Sequence, residues 1–208
     1  MKKNGEITYA EIYCQPDSFQ AINDTLEDIY AELDKVFKSG KTYRELIFTG
    51  CGTSLYLAQA AAAAFSACTD IPAKVVPCSE LYFFPENYIK DGEVLILPIT
   101  RKSYTTEVRM AIDKVHEFKN VTTLAITCDR DSEKYNDYMI WSPDTAEDSI
   151  VMTRSFTSMI YLAVIMAYYV GGKKDKIEAL KNYKEVSERV LKEQDTLAKQ
   201  IMTEHPEV

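Results

Sequence analysis

The sequence has 208 residues, of which 46% are hydrophobic and 27% are charged, and its formal net charge is −8. This length suits one α/β domain with additional helices, because compact domains typically contain about 100–200 residues. The acidic balance argues against a broad nucleic-acid surface, which would need clustered lysines and arginines.

The N-terminal stretch contains two lysines but no apolar segment typical of a signal peptide. The longest apolar stretch, residues 159–170, is too short to span a bilayer. The five cysteines are odd in number and form no CxxC pair; they are Cys14, Cys51, Cys68, Cys78 and Cys128. We therefore expect a cytoplasmic protein without disulfides or membrane contact.

Apolar residues recur at helical spacing from Phe19 to Phe37, after the start signal at residues 16–18. This pattern predicts one amphipathic helix and assigns residues 1–40 to an N-terminal helical segment. The strands predicted further along the chain are residues 45–49, 73–77, 93–99, 121–127 and 137–141. Helical segments separate them, which is typical of a parallel sheet covered on both faces.

We expect an α/β three-layer sandwich with a five-stranded, flavodoxin-like parallel sheet over residues 41–172. In such a sheet, ligands lie at the carboxyl ends of the strands, near the point where the strand order reverses. A long apolar helix is predicted over residues 152–170, and a last amphipathic helix over residues 175–201. The latter makes residues 173–208 a C-terminal helical segment that packs on the domain or on another subunit.

The stretch FTGCGTSLYLAQ, residues 48–59, passes from the first strand through a glycine turn into a helix. A dinucleotide fingerprint would need a third glycine where Leu55 stands, and the lysine of a Walker A motif is absent. What remains is a turn in which Gly52, Thr53 and Ser54 can hold a phosphate monoester at a helix N-terminus. The alternative is a plain glycine turn with a hydroxyl cap.

Cys51 is an alternative candidate in the same turn, as a nucleophile whose pKa is lowered by the helix N-terminus. The sequence contains only two histidines, His116 and His205, and neither is an obvious base for this thiol. The pattern therefore favours Cys51 as a small residue that fits the turn.

A second motif, TRKSYTTE at residues 100–107, follows the third strand and enters a helix. Its hydroxyls and two cations supply the local positive potential that an acidic protein needs in order to hold an anion. The candidate residues are Thr100, Arg101, Lys102, Ser103 and Thr105. The alternative is a capping box, formed by Ser103 with Thr106 or by Tyr104 with Glu107.

A third motif, EDSIVMTRSFTS at residues 147–158, enters the long apolar helix. Glu147 is a candidate general acid/base, because a carboxylate can carry a proton between adjacent carbons of a substrate. The alternative is that an acidic residue ahead of a helix only stabilises the helix dipole.

Together, GCGTS after the first strand, the hydroxyl-rich loop after the third, TRSFTS, and EIYCQPDSF near the start resemble the sugar isomerase (SIS) domain family. The resemblance is to the first SIS domain of two-domain proteins related to the isomerase half of glucosamine-6-phosphate synthase. These include the tagatose-6-phosphate ketose/aldose isomerase-like and fructosamine-6-phosphate deglycase-like groups. The resemblance implies a hexose or hexosamine 6-phosphate ligand, no cofactor or metal, and at least a dimer.

Matched by position, the resemblance implies that Ser54 and residues of the second motif, Thr100, Arg101, Lys102 and Thr105, hold the phosphate. The family commonly has Ser-x-Ser-Gly in this second loop, where the chain has residues 100–103 as TRKS. In the two-domain relatives, the resemblance implies that the catalytic glutamate, lysine and histidine come from the second SIS domain, and we expect the 208 residues to end before such a domain begins.

The expected function is aldose–ketose isomerisation, or a related reaction on an amino-sugar or fructosamine phosphate. A non-catalytic sugar-phosphate sensor is the alternative. The chain is then either the first half of a two-domain enzyme or a single-domain oligomer in which a neighbouring subunit completes the site.

Overall fold

The computed structural model describes residues 5–145 and 147–205. Within them, five parallel strands form one sheet in the order β2-β1-β3-β4-β5. The strands are β1 (Tyr43–Thr49), β2 (Ala73–Val75), β3 (Glu93–Thr100), β4 (Val121–Thr127) and β5 (Tyr138–Trp141). This is the flavodoxin-like order, so the predicted fold class is confirmed.

Helices surround the sheet. In chain order they are α1 (Glu6–Tyr13), α2 (Gln15–Asp24), α3 (Leu26–Phe37), α4 (Thr53–Ser66), α5 (Cys78–Phe83), α6 (Pro85–Tyr88), α7 (Thr106–Val115), α8 (Arg154–Val170), α9 (Lys174–Leu180) and α10 (Tyr183–Glu204). A 3₁₀ helix, Arg130–Lys134, follows β4. No helix within the described residues is both long enough and apolar enough to cross a membrane.

The sheet is buried on both faces because successive side chains of each strand enter different cores. In β1, Leu46 and Phe48 pack in a cluster with α3, α4 and α8, whereas Ile47 packs in a second cluster with α5 and α7. In β3, Leu95 and Ile96 divide in the same way. This alternation explains why the central strands read as continuous apolar runs rather than as alternating patterns.

Two helices that the sequence predicts as continuous are each divided in the structure. The helix expected over residues 19–37 is interrupted at Thr25, whose hydroxyl donates to the carbonyls of Ala21 (3.3 Å) and Ile22 (3.0 Å). A side chain that bonds the backbone in this way competes with the helical ladder. The last helix is interrupted after Leu180, whose carbonyl accepts a 2.9 Å hydrogen bond from the Tyr161 hydroxyl.

The sheet order places a reversal between β1 and β3, which are neighbours although β2 intervenes in sequence. The connections from β1 and β3 therefore leave in opposite directions and open a crevice between their carboxyl ends. At this point a Cβ on Gly50 would lie 2.7 Å from the carbonyl carbon and oxygen of Ser54. Only glycine lets the first turn of α4 approach the end of β1 this closely.

We predict that Gly50→Ala lowers the free energy of unfolding by about 3 kcal/mol, because the backbone of α4 cannot yield to the added methyl group. Gly5→Ala is the control: its φ is +88° but no atom lies within 4 Å of the added Cβ. It should cost only about 1 kcal/mol of backbone strain. Urea unfolding monitored by circular dichroism measures both values, and an equal cost for the two variants would contradict the close approach.

Candidate functional site

A cavity of about 160 Å³ lies at the carboxyl ends of β1 and β3. Its lining residues are Cys51, Ser54, Thr100, Arg101, Lys102, Tyr104, Thr105, Val108 and Met152. Larger cavities of about 540 and 550 Å³ lie along α3, and neither includes a residue of the loops after β1 or β3. The small cavity is the candidate site because it occupies the crevice where the strand order reverses.

The first loop contributes the N-terminus of α4. Gly52 is the N-cap residue, with φ +56° and ψ −128°, and no side chain caps the helix. The Ser54 and Leu55 amides donate to the carbonyls of Cys51 (3.2 Å) and Gly52 (3.0 Å). The positive end of the helix dipole still favours an anion beside this turn. Ser54 is buried and lines the cavity, whereas Gly52 and Thr53 are exposed beside it and are not part of the lining.

The second loop folds around one carbonyl group. The Thr100 hydroxyl donates to the carbonyl of Lys102 (2.8 Å), and the Thr105 hydroxyl donates to the same oxygen (3.3 Å). Thr105 is also the N-cap residue of α7, and no side-chain hydrogen bond caps that helix. The capping box considered from the sequence is therefore not formed, and a second uncapped helix N-terminus adjoins the cavity.

Ser103 faces away from the cavity. Its amide (2.9 Å) and its hydroxyl (2.6 Å) both donate to a carboxylate oxygen of Asp129, which follows β4. Burial by itself would raise the pKa of Asp129, but the hydrogen bonds from Ser103 and from the Asp131 amide lower it below the usual value. Asp129 thus holds the second loop in place, and Ser103 is placed to shape this loop rather than to contact a ligand.

The two cations of the second loop have different surroundings. The Arg101 guanidinium donates to Glu147 (3.1 Å) and to the carbonyls of Ser149 and Ile150 (3.3 Å each). Lys102 has no carboxylate within 4 Å among the described residues, and its Nζ lies 5.6 Å from the centre of the Tyr104 ring. Lys102 is therefore the cavity's uncompensated positive charge.

The Glu147 side chain is completely buried and fully hydrogen bonded. One oxygen accepts from the Thr153 amide (2.8 Å), the Thr153 hydroxyl (2.9 Å) and the Ser155 amide (2.9 Å); the other accepts from the Ser155 hydroxyl (2.5 Å) and from Arg101. Because α8 begins at Arg154, this carboxylate caps the helix N-terminus.

Burial would raise the pKa of Glu147, but the hydrogen bonds from Ser155, Thr153 and Arg101 outweigh it and lower the pKa. A general base needs a free oxygen within reach of the substrate and a pKa near the working pH. Glu147 has neither property and is not among the lining residues. This geometry gives no support to the proton-transfer role predicted for Glu147, and it fits a residue that fixes α8 and Arg101.

Among the lining residues there is no aspartate, glutamate or histidine, so Cys51 has no base beside it there. No group of three or more potential metal ligands occurs in the described part of the chain. Sequence reasoning did not identify Val108 and Met152 as lining residues, because apolar side chains give no local signal of such a role. Asp129 could have been found as a polar residue at the carboxyl end of a strand.

The sequence profile of the SIS domain family matches residues 42–171. No relative was found among curated proteins. Solved structures with this architecture include the C-terminal domain of glucosamine-fructose-6-phosphate aminotransferase from Francisella tularensis. That comparison has a TM-score of 0.67 and 19% identity, and it covers 91% of this chain and 55% of the other.

Two further solved structures are similar. Tagatose-6-phosphate ketose/aldose isomerase from Escherichia coli has a TM-score of 0.73 and 20% identity, over 88% of this chain and 52% of that protein. Glucosamine-6-phosphate deaminase from Thermotoga maritima has a TM-score of 0.58 and 26% identity, over 81% and 53%. The chain thus spans about half the length of these three solved structures.

We predict that Glu147→Gln costs about 3 kcal/mol of stability, because it breaks a buried ion pair with Arg101. The pKa of Glu147 is lower in the folded chain than its usual 4.5. Its stabilising contribution is therefore complete above the usual pKa and is lost as the pH falls through the lower folded value.

Urea unfolding at a series of pH values from 7 to 3 measures this effect. The wild-type protein should lose more stability on acidification than Glu147→Gln does. The exposed Glu185 on α10 provides the control, since Glu185→Gln should leave the acid dependence unchanged. Parallel pH profiles for wild type and Glu147→Gln would contradict the role assigned to this carboxylate.

Proposed function

The chain belongs to the SIS domain family, and from this premise we propose that it binds a hexose or hexosamine 6-phosphate, with the phosphate in the cavity between β1 and β3. One observation carries the proposal. The cavity brings together two helix N-termini that no side chain caps, those of α4 and α7, and the unpaired cation of Lys102. This combination of amides and one cation suits a phosphate monoester.

We assign the direct contacts to Ser54 and Lys102. The hydroxyl of Ser54 makes no hydrogen bond within the described residues and is free to donate to a phosphate oxygen. The hydroxyl protons of Thr100 and Thr105 are directed to the carbonyl of Lys102. Thr105 makes the longer of these two bonds and is the one that exchanges more readily for a phosphate oxygen. The backbones of Gly52 and Thr53 supply the N-terminus of α4.

The cavity is too small for the whole ligand. Small-molecule sites commonly enclose roughly 300–1,000 Å³, whereas this cavity has about 160 Å³. We therefore place the phosphate inside and the sugar at the mouth, near Arg101, Tyr104 and Met152.

We propose that the whole protein catalyses aldose–ketose isomerisation or a related reaction on an amino-sugar or fructosamine phosphate. The names of similar structures, a ketose/aldose isomerase and a deaminase, support this class of reaction. Isomerisation needs a group that moves a proton between adjacent carbons. The lining residues include no carboxylate or histidine, so we assign proton transfer to residues outside this cavity.

We assign those residues either to a second domain or to another subunit, because the chain spans about half of the three structures compared above. A homo-oligomer, at least a dimer, in the cytoplasm remains part of this proposal. The five cysteines are free thiols, as a reducing compartment requires. The second candidate function, a non-catalytic sugar-phosphate sensor, is favoured by the same absence of a proton-transferring group among the lining residues.

We predict that a panel of hexose and hexosamine 6-phosphates includes at least one compound that raises the melting temperature of the protein. Ser54→Ala and Lys102→Met should each weaken its affinity by about tenfold or more, as expected for loss of a hydrogen bond to a charged group. The effect of Lys102→Met should shrink at high salt. Lys119→Met, at an exposed lysine outside the cavity, is the charge-matched control. Unchanged affinity in both site variants would refute this placement of the phosphate.

We predict that the isolated 208-residue chain binds the best ligand of this panel without converting it. Coupled assays for ketose, aldose and ammonia release, run on the ligand-saturated chain, measure turnover. Turnover that survives Glu147→Gln but is lost at high dilution would indicate a site completed by another subunit. Turnover by a monomer would contradict the assignment of proton transfer to residues outside this chain's cavity.

A further inference from the structure

The N-terminal helix α1 lies outside the residues matched by the family profile, yet one of its carboxylates binds a segment that adjoins the candidate site. Glu11 is 6% exposed. It accepts hydrogen bonds from the amides of Asp148 (2.6 Å) and Ser149 (3.2 Å), and also from the Ser149 hydroxyl. These partners belong to residues 147–153, which directly precede α8 and which we call the strap.

Arg101 binds the same part of the strap through backbone carbonyls, whereas Glu11 binds it through backbone amides. Glu11 accepts from the amide of Ser149, and the Arg101 guanidinium donates to the carbonyls of Ser149 and Ile150. Glu147, at the base of the strap, is bonded to Arg101 as well. The strap is thus clamped between a carboxylate from α1 and a guanidinium from the loop after β3.

Polar contacts, rather than apolar burial, fix the middle of the strap, residues 148–151. Ile150 is 92% exposed and Val151 is 61% exposed, so neither side chain ties the strap to a core. The next residue, Met152, lines the cavity and packs against the larger apolar core. At Ser149, by contrast, polar contacts from Glu11 and Arg101 hold the strap. Loss of the contact from Glu11 would therefore shift the strap at Ser149, and this change would reach Arg101 and Met152.

We propose that Glu11 is a positioning residue for the sugar end of the site, acting through the strap on Arg101 and Met152. The inference rests on the proposed function. The charge of Arg101 is compensated by Glu147, so its remaining N–H groups suit neutral sugar hydroxyls better than a phosphate dianion. Lys102 and Ser54 hold the phosphate, and the clamp sets the discrimination between a sugar phosphate and phosphate alone.

The test compares fructose 6-phosphate, glucosamine 6-phosphate and inorganic phosphate by isothermal titration calorimetry. Glu11→Gln keeps the shape of the side chain but replaces one acceptor oxygen with a donor. We expect about tenfold weaker binding of the sugar phosphate that the wild-type protein prefers, as for the loss of one charged hydrogen bond. Binding of inorganic phosphate should change by less than about twofold. Glu185→Gln, on α10, is the matched control.

Two further variants separate positioning from general destabilisation. Ser149→Ala removes the strap hydroxyl that donates to Glu11. It should also weaken binding of the sugar phosphate, but by less than Glu11→Gln does. In an Arg101→Lys background, Glu11→Gln should have little additional effect, because residues that act through one another are not additive. Melting temperatures of all variants confirm folding, and Ser149→Ala carries the test if Glu11→Gln does not fold.

Equal losses for sugar phosphate and inorganic phosphate would overturn the inference, as would full additivity with Arg101→Lys. Unchanged sugar-phosphate affinity in both Glu11→Gln and Ser149→Ala would also overturn it and leave the proposed function standing. A wild-type protein that binds inorganic phosphate as tightly as either sugar phosphate would remove the discrimination that Glu11 is proposed to set. No binding of any of the three compounds by the wild-type protein would overturn the proposed function and this inference with it.

Discussion

The positive ends of helices converge on the carboxyl edge of the parallel sheet, and the site depends on how each end is satisfied. Each helix N-terminus carries unpaired amides and about half a positive charge. Asp129 accepts hydrogen bonds at the start of the 3₁₀ helix after β4, and Glu147 does so at the start of α8. No side chain caps the N-terminus of α4 or of α7, and these two helix ends adjoin the cavity.

Because the chain is acidic, an anion site needs helix ends that no carboxylate occupies. In a chain of net charge −8, an anion site needs a region in which positive potential is not cancelled by nearby carboxylates. Glu147 neutralises the charge of Arg101, whereas the charge of Lys102 has no carboxylate partner among the described residues. The same carboxylate that neutralises Arg101 also caps α8, so one buried group fixes a helix, a cation and the strap between them.

Much of the fold could be predicted because its signals are local. The apolar runs of β1, β3 and β4, the glycine turn at Gly50 and the intervening helical segments lie within a few residues of one another in sequence. The exact helix ends could not be predicted, because Thr25 and Leu180 interrupt helices through hydrogen bonds that helical periodicity does not show. In the case of Leu180, the bond comes from Tyr161 on another helix.

The α/β pattern predicted a flavodoxin-like sheet, and in that strand order the turns after β1 and β3 lie at one edge. The part that each side chain plays at this edge became visible in the folded chain. Arg101 is 46 positions from Glu147, and Glu11 is 137 positions from Asp148. The role of a charged side chain depends on which partner neutralises it. In this site the charged partners come from distant parts of the chain, so composition and spacing could name the candidates but could not separate the free cation from the paired one.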